Sequence, residues 1–420
     1  MTRYTLTAPQ RLDTTIELPA SKSISNRALI IHMLSGGTTL PQNISDCDDT
    51  DVIVEAMRQN LPPEINIKAA GTAMRFMTAY LSLTAGTHVL TGTERMKHRP
   101  IGTLVDALRR LGADIEYVGE QGFPPLRITG KPLQGGDLEM AGSISSQYIS
   151  AMLMIGPMME RGLTLHLTGD IISRPYIDLT LWMMGEYGAH AEWTSADTIT
   201  VEAKPYQPRD YFIENDWSAA SYWYELLALS DDPEATVRLT GLTDGSKQGD
   251  SVTRYIFSLL GVKTVFQTKK QGVPQTVTIK RNGRCVPKLE YDFVNSPDLA
   301  QTFVVTCLAK NIPFHFKGLA TLKIKETDRI EAMKREMRKL GYVLHDRNDS
   351  ELIWDGERCE PTMEVGIDTY NDHRMALSFA PFAMKSGSLI INNPQVVTKS
   401  YPSFWQSLKD AGFQIEVISD

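Results

Sequence analysis

A glycine recurs along this chain at one kind of junction, where an apolar helical pattern ends and a short alternating segment follows. The five junction glycines lie 71 to 80 residues apart in a chain of 420: Gly112, Gly188, Gly261, Gly341 and Gly412. Glycine after a helix takes the left-handed conformation without steric cost and turns the chain into a strand. Five such junctions at nearly even spacing predict a repeated α/β supersecondary unit.

The apolar residues before two of these junctions follow the spacing of one helix face. They are Ile101, Leu104, Val105, Leu108 and Leu111 before Gly112, and Ile330, Met333, Met337 and Leu340 before Gly341. The pattern therefore places an amphipathic helix immediately upstream of each of these two glycines.

The spacing predicts about six units, of which the first is shortened. Residues 49–60 have the pattern of a helix, but Leu61-Pro62-Pro63 stands where a glycine junction is expected, and the first unit should occupy the stretch before Leu90. Because six units exceed what one core usually holds, we expect two lobes of three units each. Their boundary should fall near Asp210–Trp217, and the N-terminal segment 1–19 could pair with either lobe.

Composition excludes several classes of protein. The chain is 42% hydrophobic and 22% charged, as in a soluble globular protein, and its net charge of −7 is not that of a protein that binds nucleic acid. The four cysteines are far apart, which favours reduced thiols over a disulfide framework. The first twenty residues lack the apolar core of a signal peptide. No stretch reaches the ~20 apolar residues of a membrane span. We therefore expect a cytoplasmic protein with no nucleic-acid or membrane partner.

Several short polar segments open directly into apolar helices. The clearest are Ser21–Arg27, Ala70–Arg75, Gly142–Gln147 and Tyr370–Arg374. Free backbone N–H groups at helix starts bind phosphate or carboxylate, although Ser, Asn and Asp there are also ordinary N-caps. Cations at these starts would repel the helix dipole unless an anion lies between them. Lys22, Arg27, Arg75 and Arg374 thus favour anion binding.

Three further candidates have simpler alternatives. If a helix begins at Lys325, then Lys325 and Arg329 face the same side of it, with Glu326 beside them. Two cations next to a carboxylate suit an anionic substrate that exchanges a proton. The alternative is a solvated surface turn. Asp298 precedes an apolar helix over 299–308 and could be its N-cap. Arg99, just before a helix, could be a solvated loop arginine.

Common cofactor motifs are missing from the sequence. It contains no phosphate-binding loop for nucleoside triphosphates, no dinucleotide-binding fingerprint, no nucleophile elbow and no histidine spacing typical of metal sites. We therefore expect no metal and no cofactor. The residues by themselves predict a two-lobed α/β repeat protein with a cationic cleft for small, multiply anionic ligands.

Six motifs, in this order along the whole chain, resemble the EPSP synthase (3-phosphoshikimate 1-carboxyvinyltransferase) family. They are Ser21-Lys22-Ser23 with Asn26-Arg27, Gly71–Arg75, Arg95–Pro100, Ser145-Ser146-Gln147, Lys325–Arg329 and Asn371–Ala376. The resemblance implies two lobes, each of three βαβαββ units around a pseudo-threefold axis, that close over substrate at their interface. On this basis lobe I comprises residues 1–20 and 216–420, lobe II residues 21–215, and a monomer is expected.

The resemblance also implies the reaction. Such enzymes join phosphoenolpyruvate to the 5-hydroxyl of shikimate 3-phosphate through a tetrahedral intermediate and release phosphate. By motif, Asp298 would accept the hydroxyl proton, and Glu326 with Lys22 would protonate the methylene carbon of phosphoenolpyruvate.

The implied binding residues form two sets. Those for shikimate 3-phosphate are Lys22, Ser23, Arg27, Ser145, Ser146, Gln147, Ser173, Asp298 and Lys325, with Tyr176 near the ring. Those for phosphoenolpyruvate are Lys22, Gly71, Arg99, Gln147, Arg329, Arg374 and Lys399.

Two positions depart from the family pattern. Ala69 and Thr321 stand where many members have asparagine, which makes phosphoenolpyruvate affinity and inhibitor sensitivity the properties least transferable to this chain.

Two alternative functions remain. One alternative is a catalytically impaired protein that binds phosphate metabolites, but Asp298, Glu326 and the full set of cations argue against it. The other is the related UDP-sugar enolpyruvyltransferase, whose loop cysteine is missing between Thr91 and Arg99.

Overall fold

The chain forms two compact units, which are described separately. A computed structural model describes residues 2–419; unit 1 comprises Met1–Pro19 with Glu214–Asp420, and unit 2 comprises Ala20–Ile213. Both combine α-helices with small mixed β-sheets, as the α/β fold class predicts. In the part of the chain from Thr2 to Ser419, no helix is long and apolar enough to cross a membrane.

The helices and strands are numbered in chain order. The helices are α1 Lys22–Ser35, α2 Asp48–Arg58, α3 Gly71–Leu83, α4 Glu94–Lys97, α5 Gly102–Arg110, α6 Ser146–Ile155, α7 Arg174–Glu186, α8 Trp217–Leu229, α9 Thr253–Ser258, α10 Ala300–Ala309, α11 Arg329–Lys339, α12 His373–Phe379, α13 Ala383–Ser386 and α14 Phe404–Asp410. The strands are β1 Thr2–Thr7, β2 Asp13–Ile16, β3 Glu64–Asn66, β4 Gly86–Thr91, β5 Asp114–Tyr117, β6 Leu126–Gly130, β7 Gly136–Ala141, β8 Leu163–Thr168, β9 Ala191–Trp193, β10 Thr198–Val201, β11 Thr236–Thr243, β12 Leu260–Phe266, β13 Pro274–Cys285, β14 Leu289–Asp292, β15 Phe314–Lys317, β16 His345–Arg347, β17 Glu351–Trp354, β18 Ser388–Asn392 and β19 Gln414–Ser419.

Unit 2 contains two sheets of the same design. Their strand orders are β3-β4-β6-β5 and β7-β8-β10-β9, and in each the first pair is parallel and the other pairs are antiparallel. Each sheet follows the chain order β-α-β-α-β-β, apart from the short extra helix α4. The stretch with α1 and α2 contributes no strand to a sheet; Gln42 forms only an isolated parallel bridge with Phe212.

The boundary of the shortened unit differs from our expectation. We expected it to extend toward Leu90, but β3, at Glu64–Asn66, already pairs with β4 and belongs to the next unit. Its second helix ends at Arg58 and is followed by Asn60 and Leu61, both with φ of +54°. The two prolines after Leu61 have no amide hydrogen, which explains why the helix cannot continue there.

Unit 1 contains three sheets, and the N-terminal segment completes two of them. Strand β1 lies between β18 and β19 in an antiparallel three-stranded sheet, and β2 pairs in parallel with β11 at the edge of the sheet β12-β13-β11-β2. The third sheet has the order β14-β15-β17-β16. The residue pattern left open which lobe the segment 1–19 joins, and the family resemblance placed it in lobe I. In the structure it belongs to unit 1.

The five junction glycines share the predicted backbone conformation. Their φ angles are between +81° and +99°. The strand does not always begin as expected: Gly261 lies inside β12, and after Gly341 an isolated bridge between Tyr342 and Arg358 precedes β16. The glycine thus determines where the helix ends, while hydrogen-bond partners elsewhere in the chain determine where the strand starts.

Each unit has its own hydrophobic core. The predicted apolar faces of α5 and α11 are buried, since Leu104, Leu108 and Met333 are fully covered and Ile330 and Leu340 nearly so. The α5 residues pack in the core of unit 2 and the α11 residues in the core of unit 1. These cores fix the helix starts that carry the candidate functional residues.

Candidate functional site

Arg329 is the centre of the candidate site in unit 1. It is the first residue of α11 and is 1% exposed, and its guanidinium contacts three carboxylates. Nε and Nη2 donate to the two oxygens of Asp372 at 2.7 and 3.1 Å, Nη1 donates to Asp298 at 2.9 Å, and Nη2 donates to Glu326 at 3.0 Å. A buried guanidinium needs such partners because an unpaired charge is very costly there. Burial alone lowers the pKa of Arg329, but Asp372, Glu326 and Asp298 raise it above its ordinary value.

Asp298 is surrounded by three cations. Besides Arg329, the Lys325 ammonium lies 3.4 Å from Oδ1 and the Arg374 guanidinium 3.4 Å from Oδ2. Burial raises the pKa of Asp298, but Lys325, Arg374 and Arg329 together hold it well below the usual range. Asp298 is therefore ionised and able to accept a proton at neutral pH.

Two local possibilities considered for this region are wrong: the N-cap alternative for Asp298 and a helix start at Lys325. Asp298 does not cap a helix; it lies in the 3₁₀ turn Pro297–Leu299, and α10 starts at Ala300 with no side-chain cap. The helix after Lys325 begins at Arg329, with Asp328 as its N-cap, so Lys325 lies outside it. Lys325 and Arg329 nevertheless meet, because both contact Oδ1 of Asp298.

Glu326 and Arg374 complete the cluster. Lys399 donates to Oε1 of Glu326 at 2.6 Å, while Oε2 faces Arg329. Arg374 donates from Nη1 to the Tyr222 hydroxyl at 3.3 Å and to the backbone oxygen of Asp298 at 3.2 Å. The structure thus brings together all six unit 1 candidates, namely Asp298, Lys325, Glu326, Arg329, Arg374 and Lys399.

Most of the unit 2 candidates lie at the starts of α1, α3, α6 and α7, whereas Arg27 lies in the second turn of α1 and Arg99 in the loop before α5. Helix α1 packs against α3, α6 and α7, and α6 also packs against α3 and α7. Ser21 caps α1 by accepting from the amide of Ile24 at 3.4 Å, so the N-cap alternative holds there. Lys22 follows it and forms an ion pair of 3.2 Å with the buried Asp49.

Arg27 is a buried cation that donates hydrogen bonds to neutral acceptors. Its guanidinium donates to the Thr180 hydroxyl at 2.7 Å, to the Ser150 hydroxyl at 3.2 Å, and to the backbone oxygens of Ser23 and Tyr176 at 2.9 and 3.3 Å. Burial lowers the pKa of Arg27 to about 10. The guanidinium is still charged at neutral pH, which suits it to an anionic ligand.

Gly71 allows two arginines to approach the start of α3. A Cβ atom at position 71 would lie 2.5 Å from Nη1 of Arg99 and 2.6 Å from Nη1 of Arg75, so only glycine leaves room for both guanidiniums. Arg75 also donates to the backbone oxygen of Gly71 at 2.8 Å. The loop arginine is therefore fixed beside a helix N-terminus, which is where an anion binds most readily.

The remaining candidates lie at the starts of α6 and α7. Ser145 caps α6 by accepting from the Gln147 amide at 3.4 Å, and Ser146 is the first residue of that helix. The Gln147 side chain donates to the Thr72 hydroxyl at 3.0 Å, which joins α6 to α3. Ser173 precedes α7 with φ of +54° and makes no capping bond to it.

Comparisons with known proteins agree in assigning a family. A family model described as EPSP synthase (3-phosphoshikimate 1-carboxyvinyltransferase) matches residues 6–62 and 59–408. A 3-phosphoshikimate 1-carboxyvinyltransferase of Bacteroides fragilis is 57% identical over 99% of both chains. The chain belongs to the EPSP synthase family.

More distant members of the EPSP synthase family match along the same length. The Photobacterium profundum 3-phosphoshikimate 1-carboxyvinyltransferase is 34% identical and covers 98% of this chain and 99% of its own. A solved EPSP synthase structure from Acinetobacter baumannii superposes with a TM-score of 0.80 at 21% identity and covers all of both chains. The resemblance noted in the sequence and the predicted fold class are both confirmed.

The EPSP synthase fold reveals partners that the sequence did not single out. Asp372 binds Arg329 through both carboxylate oxygens, Asp49 pairs with Lys22, and Thr72 holds Gln147. Asp372 and Thr72 stand within segments of the family pattern, and Asp49 lies in the first turn of α2. A short polar residue near a helix start looks like a cap in the sequence. Asp372 does cap α12, and it also binds the arginine.

The arrangement in unit 1 can perform acid–base chemistry on an anion. It holds two carboxylates, Asp298 and Glu326, on one buried guanidinium, with Lys325, Arg374 and Lys399 as further cations. In the described residues 2–419, no group of three or more His, Cys, Asp or Glu side chains could hold a metal ion.

Proposed function

We propose that the protein transfers the enolpyruvyl group of phosphoenolpyruvate to the 5-hydroxyl of shikimate 3-phosphate and releases phosphate, as a step of aromatic amino-acid biosynthesis. The observation that carries this proposal is the attachment of Asp298 and Glu326 to the same buried arginine. Family membership names the reaction, and these two carboxylates are the groups in unit 1 that can move its protons.

Asp298 acts as the general base in this proposal. Asp298 is ionised because its pKa is held well below the usual range, and as a carboxylate it would accept the proton of the 5-hydroxyl as the oxygen attacks C2 of phosphoenolpyruvate. The same low pKa makes it a weak base as long as the three cations remain paired with it. Anionic substrates would draw Lys325 and Arg374 toward themselves. Weaker pairing would raise the pKa of Asp298 and strengthen it as a base.

Glu326 acts as the general acid, with Lys22 as the third catalytic residue. A proton delivered to the methylene carbon makes C2 electrophilic, and the new C2–O bond produces a tetrahedral intermediate that carries the phosphate. Glu326 then takes a proton back from the methyl group as the C2–O bond to phosphate breaks, which restores the double bond and releases phosphate. Lys399 and Arg329, which contact Glu326, would stabilise the carboxylate that exists between these two proton transfers.

The binding roles are assigned by substrate. Shikimate 3-phosphate is bound by Lys22, Ser23, Arg27, Ser145, Ser146, Gln147, Ser173, Asp298 and Lys325. Phosphoenolpyruvate is bound by Lys22, Gly71, Arg99, Gln147, Arg329, Arg374 and Lys399. The support is the positions described above: the unit 2 residues lie at or near the starts of packed helices, and the unit 1 cations surround Asp298 and Glu326.

Phosphate release from shikimate 3-phosphate and phosphoenolpyruvate tests the proposed activity. The purified protein should release phosphate only when both substrates are present. Release that does not exceed the enzyme-free background would show that the proposed activity is wrong.

Variants of the two carboxylates test their roles. Asp298→Asn and Glu326→Gln are each expected to lower kcat by about 10²- to 10⁴-fold, the usual range for loss of a general base or acid. Both amides keep an acceptor for Arg329, so shikimate 3-phosphate should still bind, as calorimetry would show. Near-normal turnover in either variant would contradict its role.

The proposal also includes a monomer that acts in the cytoplasm. The four cysteines are free thiols, which suits a reducing compartment. Analytical ultracentrifugation of the protein is expected to give a mass near 46.9 kDa. A dimer mass at micromolar concentration would contradict the monomer.

A further inference from the structure

The segment that leads into α12 has a backbone conformation that needs support. Tyr370 and Asn371 both have positive φ, +53° and +55°. Asparagine tolerates this left-handed region, but a tyrosine there is uncommon and strained. The two residues form a sharp turn just before Asp372 and Arg374, so the position of both side chains depends on this turn.

Glu336 holds this turn from α11. It is fully buried, and both of its carboxylate oxygens accept hydrogen bonds. The Tyr370 hydroxyl donates to Oε1 at 2.6 Å, and the Asp368 amide donates to Oε2 at 3.0 Å. Lys339, one turn further along α11, lies 2.7 Å from Oε2 and balances the charge. A buried carboxylate with these donors holds the near side of the turn, at Asp368 and Tyr370.

The far end of the same turn is attached to the same helix. Asp372 binds Arg329 at 2.7 and 3.1 Å and accepts from the Arg374 amide at 2.9 Å. Arg329 and Glu336 are seven residues apart on α11, which is two helical turns, so they lie on one face. The segment 368–374 is therefore held by α11 at two points.

We propose that Glu336 is a positioning residue that places Asp372 and Arg374 for phosphoenolpyruvate binding. The proposal rests on the assignment of Arg329 and Arg374 to phosphoenolpyruvate under the proposed function. Glu336 acts through the Tyr370–Asn371 turn: without its two acceptors the strained turn relaxes, and Asp372 no longer fixes the plane of the Arg329 guanidinium. Arg374 moves with it.

Kinetics of Glu336→Gln test the consequence for the reaction, and α11 offers a matched control. Glu331 forms an ion pair with Lys334 at the same spacing on the same helix, at 2.7 Å, but its side chain is partly exposed, and its carboxylate pairs with Lys334 rather than with the 368–374 segment. Glu336→Gln should raise KM for phosphoenolpyruvate about 10- to 100-fold, as expected for a lost hydrogen bond to a charged group. KM for shikimate 3-phosphate should stay within about twofold, and Glu331→Gln should change neither constant.

A purely structural role would give a different result. It would lower the melting temperature and the fraction of active protein, but would leave both KM values of the active fraction unchanged. That outcome, or an equal change in both KM values, would overturn the proposal. Tyr370→Phe removes only the hydrogen bond from the Tyr370 hydroxyl to Glu336 and keeps the ring. It should therefore raise KM for phosphoenolpyruvate by a smaller factor. This variant still tests the proposal if Glu336→Gln folds poorly.

Hydrogen exchange of the substrate-free protein separates this proposal from the proposed function. Amides of residues 368–374 should exchange faster in Glu336→Gln and Tyr370→Phe than in wild type and Glu331→Gln. If the wild type released no phosphate, the proposed activity would be wrong. The exchange rates would still show whether Glu336 holds the Tyr370–Asn371 turn. Unchanged exchange in both variants would overturn the proposal whatever the activity.

Discussion

At the scale of single residues, the candidate site depends on contacts that one added atom or one lost hydrogen bond would disrupt. Gly71 illustrates this, because its missing Cβ is the space into which Arg99 and Arg75 extend. A family motif identifies the glycine, but the sequence does not say which atoms need the space. The structure shows that they are the tips of two cationic side chains.

Gly71→Ala is expected to displace Arg99 from the start of α3. The added methyl group would lie 2.5 Å from Nη1 of Arg99, closer than any real contact, so the guanidinium must move. Steady-state kinetics should show KM for phosphoenolpyruvate raised about tenfold or more.

The control for this substitution is Gly185→Ala, near the end of α7. A Cβ there would meet no atom within 4 Å, so both KM values and the fold should be unaffected. An unchanged KM for phosphoenolpyruvate in Gly71→Ala would mean that the arginine position does not matter for that substrate.

At the scale of elements, helix α8 carries an ionisable side chain into the hydrophobic core of unit 1. Glu225 is completely buried, and neither carboxylate oxygen has a partner at full hydrogen-bond geometry in residues 2–419. The nearby Thr306 hydroxyl opposes only part of the effect of burial on the pKa of Glu225. Burial raises the pKa of Glu225 well above its ordinary value of 4.5. The folded protein therefore holds this side chain as a neutral acid.

Glu225 makes the stability of α8 packing depend on pH. Above pH 4.5 the unfolded chain ionises Glu225 while the folded protein keeps its proton. The folded state then binds more protons, so the free energy of unfolding falls as pH rises, by about 1.4 kcal/mol per pH unit up to the folded pKa. Glu225→Gln removes this loss. Its thermal unfolding should match wild type near pH 4 and occur at higher temperature at pH 8.

The exposed residue Glu234 supplies the control for this pH dependence. The melting temperature of Glu234→Gln should differ from that of wild type by the same amount at pH 4 and at pH 8. If Glu225→Gln were no more stable than wild type at pH 8, the Glu225 side chain would be charged in the folded protein.

Elements also show where sequence patterns succeed and where they fail. The apolar spacing before Gly112 and Gly341 predicts α5 and α11 correctly, because helix faces and left-handed glycines depend on residues close together in the chain. The start of α11 was placed four residues too early. Asp328 caps the helix at Arg329, and the side chain of Lys325 turns to Asp298, 27 residues away.

At the scale of the whole molecule, unit 1 is built from both ends of the chain. Strand β1 is the central strand of its sheet, and every residue from Arg3 to Thr7 has a partner on both β18 and β19. The C-terminal strands therefore have no sheet without the first seven residues. The N-terminal segment is a structural part of the unit that contains Asp298 and Arg329.

Thr5→Pro is expected to weaken unit 1 selectively. Proline cannot donate to the sheet, and Thr5 lies between Ile390 and Glu416 in the central strand. Loss of one buried hydrogen bond should lower the free energy of unfolding by about 1–3 kcal/mol. Hydrogen exchange should increase in β18 and β19, while β4 and β6 of unit 2 keep their protection.

Thr5→Val is the matched control, because it keeps the backbone amide and nearly the same side-chain size. It should show wild-type exchange in β18 and β19. Equal exchange in Thr5→Pro and Thr5→Val would mean that β1 contributes little to the stability of this sheet.

The sequence by itself determined the repeated α/β unit, the helix faces and the family, since each depends on local backbone preferences or on motifs within a few residues. The tertiary structure alone decided how β1 and β2 pair within unit 1, that the shortened repeat lacks a sheet of its own, and that Arg329 joins Asp298, Glu326 and Asp372. Asp372 lies 43 residues from Arg329 in the chain. A pairing over that distance is set by the path of the chain and by the cost of burying an unpaired charge, which no local pattern records.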